Sequence, residues 1–370
     1  MMKLEEFAEI NMGQSPVSSS YNENEDGLPF FQGKADFGKI NPKAKVWCNK
    51  PTKIAEKDDI LMSVRAPVGD LNIATAKCCI GRGLAGIRAK KDKCYFKYLF
   101  YFLRSKYNEL NQMSTGSTFK AISKNNILNI EGNIPEIKEQ KIIVSKLDKF
   151  QDLIIKTEEQ IELLDDLIKS QFVEMFGDPI DNPKNNRIVK LSDIAEYWNG
   201  LTYKPTDVSK EGTIVLRSSN IKNSQLDFED VVRVKCNIKE KQYVKDNDIL
   251  MCSRNGSARL VGKVAVIKNL KEEMTFGAFM MIIRSKYYPY LFSYFQTDAF
   301  RNQIKSGATT TINQITGNML NKIKLPLPNM EEINRFADWV KQIDKQKFEI
   351  QNELIELKKV KEYLMNKYFN

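Results

Sequence analysis

DDILMSVR (residues 58–65) and DNDILMCSR (residues 246–254) state one pattern twice: an acidic turn, a short apolar strand and a closing arginine. Working outward, the doubling extends along the chain. Upstream, KLEEFAEINMG (3–13) matches KLSDIAEYWNG (190–200). Downstream, YLFYFLRSKY (98–107) matches YLFSYFQTDA (290–299), and both read as helices that bury an aromatic and leucine side. Each leads to a Gly/Ser/Thr-rich loop, STGSTF (114–119) and SGATTT (306–311). A short strand follows, ending near a proline at Asn133-Ile134-Pro135 and at Leu325-Pro326-Leu327-Pro328. The offset between the copies grows from 187 residues (Lys3 to Lys190) to 193 (Ile143 to Phe336), a drift that small loop insertions explain. A tandem duplication accounts for this order.

Each copy closes on a long helix. Ile143, Leu147, Phe150, Ile154, Thr157, Ile161, Leu164 and Ile168 are spaced alternately four and three, and so are Phe336, Val340, Ile343, Lys347, Ile350, Leu354, Leu357 and Lys361. That rhythm is a coiled-coil seam. At 1.5 Å per residue, roughly 33 helical residues span about 50 Å, longer than one small domain covers. The two helices are expected to pair antiparallel, with Lys347 and Lys361 at the seam's edge or snorkelling to water. GDPIDNPKNN (177–186), with two prolines and several turn formers, ends the first helix. The chain therefore divides into a domain at 1–135, a long helix at 136–176, a connector at 177–187, a domain at 188–329 and a long helix at 330–370. Regular βαβ spacing is absent. The fold class is mixed α/β (α+β): two tandem domains, each a small curved sheet flanked by helices, separated by two long antiparallel coiled-coil helices.

Composition narrows the chemistry. Lys and Arg exceed Asp and Glu by 57 to 47, a net charge of +10 that suits a polyanionic partner. With no histidine, histidine bases are excluded; with no Cys-x-x-Cys either, a zinc site is not expected, and the six cysteines read as small buried hydrophobes. MMKLEEFAEI has no signal-peptide pattern and no 18-residue run is free of charge, so a cytoplasmic chain without a membrane span is expected.

The order of these elements, given twice, resembles the specificity subunit of type I restriction-modification enzymes over nearly the whole chain. The Leu-x-x-x-Ala-Glu start, the Asp-Ile-Leu-Met strand, the Gly-Ser-Thr loop and the Glu-Gln-x-x-Ile helix start carry the likeness; EEINR (331–335) is a looser form of KEQKI (138–142). The resemblance implies two target-recognition domains, each reading one half of a split site in double-stranded DNA around an unread spacer. It also implies that the long helices carry two methyltransferase subunits, with two restriction subunits joining the larger complex. S-adenosylmethionine for adenine-N6 methylation, and ATP with magnesium for restriction, would sit on those partners, leaving this chain without a cofactor. Another class of function uses the same scaffold: an antirestriction decoy that engages methyltransferase subunits without reading DNA.

Base reading needs hydrogen-bonding side chains in the major groove, arginine for guanine and asparagine or glutamine for adenine. In the first domain the candidates are Gln32 and Lys34 after the Pro29-Phe30-Phe31 segment, Arg65 at the strand end, Arg82 in Gly81-Arg82-Gly83, and Ser117, Thr118 and Lys120 in the Gly-Ser-Thr loop. In the second they are Arg217, Ser219 and Asn220 after TIVL (213–216), Arg254, Asn255, Ser257 and Arg259 in RNGSAR (254–259), and Thr309, Thr310, Thr311 and Asn313. Positions that differ between the copies, such as Gln32 against Arg217, are the better candidates for specificity. Recurring ones, Arg65 and Arg254, equally suit a role in the fold. Catalysis has no foothold: there is no glycine-rich cofactor opening, and Asp178-Pro179-Ile180 and Asn182-Pro183-Lys184 lack the second proline and aromatic of an adenine methyltransferase motif.

Overall fold

The computed structural model describes residues 1–113, 121–306 and 314–369. It divides into two compact units, one of residues 1–159 with 350–370, the other of residues 160–349. No helix among the described residues is long and apolar enough to cross a membrane.

In the first unit, Met2–Lys3 pairs antiparallel with Glu131–Gly132. Among the described residues, a four-stranded antiparallel sheet follows the order Ala8–Met12, Leu84–Ala89, Ile60–Ser63, Leu71–Ile73. Its register sets Ile87 opposite both Ile10 and Ile60 and Ile60 opposite Ile73, all four buried. A second sheet runs Tyr21–Asn22, Trp47–Cys48, Leu28–Phe31, Cys78–Ile80, Ile54–Ala55, and its Leu28–Phe31 and Cys78–Ile80 strands are parallel.

The second unit repeats this plan. Arg187–Lys190 pairs with Lys324–Leu327. A four-stranded antiparallel sheet runs Glu196–Asn199, Met280–Arg284, Ile249–Cys252, Val264–Val266. A mixed sheet contains Thr213–Leu216 parallel to Met274–Phe276. Each unit is built of several small sheets with helices beside them, the mixed architecture expected. The expected aromatic helices also come in two pieces each, Phe96–Ser105 with Tyr107–Met113, and Tyr288–Tyr294 with Asp298–Ser306.

The acidic turn of the repeated motif has a physical basis. Asp58 and Asn247 adopt positive φ of 71° and 72°, a conformation that Asp and Asn tolerate better than most residues. The next acid, Asp59 or Asp248, accepts from the turn's backbone at Glu56 N–H or Lys245 N–H. Each acid, almost fully buried, also takes a bidentate pair from an arginine on the neighbouring strand. Arg88 donates through Nε and Nη2 at 2.8 Å each, Arg284 at 2.7 Å each. Aromatic anchors repeat too: Tyr98 donates to Asn133 O at 3.1 Å and Tyr290 to Pro326 O at 2.5 Å.

The long helices are α1, Ile137–Phe176, and α2, Met330–Phe369, 40 residues each. Gly177 ends α1 at φ 79°, where a side chain would also strike the Pro183 ring. In the first unit, Ile143, Val144 and Leu147 of α1 join one core with Tyr98, Phe102 and Phe369. Lys146 meets Tyr368, Gln151 meets Lys361 and Glu158 meets Lys358, so the two helices run antiparallel there. In the second unit, the rings of Phe172, Phe176, Tyr290 and Phe336 pack with centroids 5.2 to 5.9 Å apart.

Every other seam position is buried or half-buried, but the two lysines depart from expectation. Lys347 and Lys361 are only 4% and 8% exposed. Neither snorkels: Lys347 donates to Asp165 and Lys361 to Gln151. A polar partner on α1 makes a seam lysine tolerable where a bare one would not be.

Five of the six cysteines are buried and Cys236 is half-buried, none in a disulfide. Burial pushes the thiols of Cys78 and Cys94 up to about 12, far from any reactive thiolate at neutral pH.

Candidate nucleic-acid interface

In both units, the parallel strand pair and the strand of the repeated motif bring three chain segments to one rim. In the first unit Phe31 lies beside Ile80, so Gln32 comes alongside Gly81. Val64 N–H donates to Gly83 O at 2.9 Å, which brings Arg65 to the same place. Gln32, Arg82 and Arg65 are all exposed there. Among the described residues neither Arg65 nor Arg82 has an ion-pair partner. Lys34, by contrast, is paired with Asp70 at 2.8 Å.

The second unit builds the same rim from different residues. Leu216 lies beside Phe276, and Gly277 N–H donates to Leu216 O at 3.0 Å, which sets Arg217 beside Gly277. Ser253 N–H donates to Phe279 O at 2.9 Å, as Val64 does to Gly83, and Arg254 N–H donates to the same oxygen at 3.0 Å. Position by position, Gln32 corresponds to Arg217, Arg82 to Ala278, Gly83 to Phe279 and Arg65 to Arg254. Arg217 is held by Asp230 at 2.7 Å, and its Nε is buried without a hydrogen-bond partner among the described residues. The Arg254 guanidinium stands 5.5 Å from the Phe279 ring centre.

The recurring arginines have a second task. Arg65 bridges Ala121 and Arg254 bridges Gln314, the residues at which the chain returns from the Gly-Ser-Thr loops. Ile122 N–H donates to Val64 O and Ile315 N–H to Ser253 O, at 3.1 and 2.7 Å. Ser117, Thr118, Lys120, Thr309, Thr310, Thr311 and Asn313 lie outside the described residues.

One candidate is withdrawn. Asn220 is fully buried, its amide donating to Asp227 O and Asp230 O and its Oδ1 accepting from Arg217 N–H, each at 2.9 Å. Its hydrogen-bonding capacity is spent on the turn. Asn255 is half-buried and donates to Ser218 Oγ at 3.1 Å, tying the RNGSAR loop to the loop after Leu216. Ser219, Ser257 and Arg259 are exposed. Phe279 was missed: an aromatic next to Met280-Met281-Ile282-Ile283 reads as core, and only the strand's start places it outside.

A family model for the type I restriction modification DNA specificity domain matches residues 1–164 and again 183–359. The chain belongs to this family. The chain is 48% identical to the putative type I restriction enzyme MjaX specificity subunit of Methanocaldococcus jannaschii over 43% of its own length and 38% of that relative's. With the MjaVIII specificity subunit of the same organism it shares 22% identity over 99% of its length and 91% of the relative's. The solved type I restriction-modification S subunit from M. genitalium has the same fold, with a TM-score of 0.55 at 16% identity, covering 100% of this chain and 95% of that one. One DNA specificity domain is thus matched in each half of the chain.

Proposed function

We propose that the chain reads a two-part DNA target, one half with each rim, and holds adenine-N6 methyltransferase subunits on that target. The observation that carries this reading is the pair of rims: same place in the fold, same backbone hydrogen bonds, one arginine kept at Arg65 and Arg254, and different side chains at the other three positions. A scaffold that only occupied methyltransferases would have no use for that divergence, whereas reading two half-sites requires it. The net charge of +10 supports the electrostatic part of DNA binding. Ile142, Leu153, Leu163, Leu167 and Val173 of α1 and Phe348, Ile355, Val360 and Tyr363 of α2 are exposed, which supports docking of partner subunits along the long helices. Catalysis, with S-adenosylmethionine and, for restriction, ATP and magnesium, then belongs to those partners.

The experiment is single-molecule methylation mapping of genomic DNA from cells with the gene intact and deleted. Loss of N6-methyladenine at one split motif is the expected result. Unchanged methylation, with the partner methyltransferase expressed, would move the chain to the decoy reading.

A further inference from the structure

The second rim carries one feature that the fold does not need. Phe279 is 60% exposed, although it immediately precedes Met280–Arg284, an inner strand of the second unit's four-stranded sheet, and its carbonyl accepts from both Ser253 and Arg254 N–H. The corresponding residue of the first unit is Gly83, where a side chain would come within 2.3 Å of Gln32 O. The shared architecture therefore accommodates this position without any side chain. What Phe279 touches is Arg254, whose guanidinium lies over the ring. Arg254 is itself exposed and has no ion-pair partner among the described residues. An aromatic face thus props a free guanidinium on the rim, which limits its conformational freedom before any partner arrives.

Resting on the reading of the rims as base-reading surfaces, we propose that Phe279 and Arg254 act as one specificity-determining pair for the half-site of the second unit. The phenyl ring packs on the C5-methyl group of a thymine in the major groove, and the guanidinium donates to N7 and O6 of a neighbouring guanine. Apolar contact and a bidentate arginine are the two chemistries that distinguish those bases there. The first unit, with Gly83 and Arg65, has the arginine without the ring, and its half-site carries no equivalent methyl contact.

The test uses the full chain co-assembled with its methyltransferase subunit and duplexes of the mapped motif. Each thymine is replaced in turn by deoxyuridine, which lacks only the methyl, and each guanine by 7-deazaguanine. The wild type is expected to lose affinity about tenfold for deoxyuridine at one position of one half-site. Phe279→Ala should be indifferent to that change, and Phe279→Tyr should keep the discrimination. Arg254→Ala should abolish the response to 7-deazaguanine at a guanine beside that thymine. A wild type insensitive to deoxyuridine throughout overturns the proposal without recourse to any variant. A Phe279→Ala protein that retains full sensitivity overturns it as well. Failure of the underlying reading looks different: the wild type then shows no sequence preference at all.

Discussion

At the residue scale, burial separates the side chains that hold the rims from those that stand exposed on them. Asn220→Ala should lower the stability of the second unit by about 1–3 kcal/mol, because two carbonyls and one N–H lose their partner. In methylation mapping the motif should stay the same; a changed base preference would return Asn220 to the reading surface. Lys361 makes a prediction in pH. Burial, helped by Arg104 and opposed by Asp148, holds its ammonium down at about 8 against an ordinary 10.5. Tyr101, Gln151 and the neighbouring turns of α1 enclose it. Below about pH 8 both folded and unfolded chains carry the proton, and the cost of burying it is present in full. Between about 8 and 10.5 the unfolded chain holds more protons, so this group makes stability rise with pH. Lys361→Met should therefore be more stable than the wild type at neutral pH, by about 1 kcal/mol, with the gap closing as pH rises past 8. Chemical denaturation at pH 6, 8 and 10 measures it, and a constant gap would sink the assignment.

At the element scale, repetition made the strands and helices legible, because the same apolar spacing occurring twice outweighs the ambiguity of either copy. Pairings between distant residues were not legible. Asp59 with Arg88 and Asp248 with Arg284 depend on sheet register, which a single strand's pattern leaves open. Gln140 was hidden for the same reason. Fully buried at the start of α1, it donates to Lys93 O and Pro135 O and accepts from Tyr95 N–H, each at 2.8 Å. At the matching position of α2 the residue is Ile333, also fully buried, and that exchange is what loosens the motif there. Gln140→Ile should not be the neutral swap the repeat suggests. It strands three backbone groups, and the first unit should lose about 2–4 kcal/mol, read as a lower midpoint in urea.

At the scale of the whole molecule, membership of the family and the doubled plan were open to sequence reasoning, while which candidate side chains stand exposed on the rims was only partly so. Gln32, Arg65, Arg82 and Arg254 stand on exposed rims, but Asn220 and Phe279 had their environments reversed by a single turn and a strand start. The exposed apolar residues of α1 and α2 give a further expectation. Leu163→Glu with Phe348→Glu should abolish co-purification of the methyltransferase subunit while leaving the melting temperature of the chain unchanged; retained co-purification would place docking elsewhere.

The first compact unit is not one stretch of chain: it needs residues 350–370, whose Lys361 and Phe369 lie against α1 and the first core, while the second unit is continuous. On the ribosome the order of completion is therefore inverted. Until residues 350–370 emerge, the unit begun first lacks Phe369 against Tyr98 and Lys361 against Tyr101, although every residue of the other unit has already been translated. A premature stop after Glu349 would spare the later-made half and cripple the earlier one.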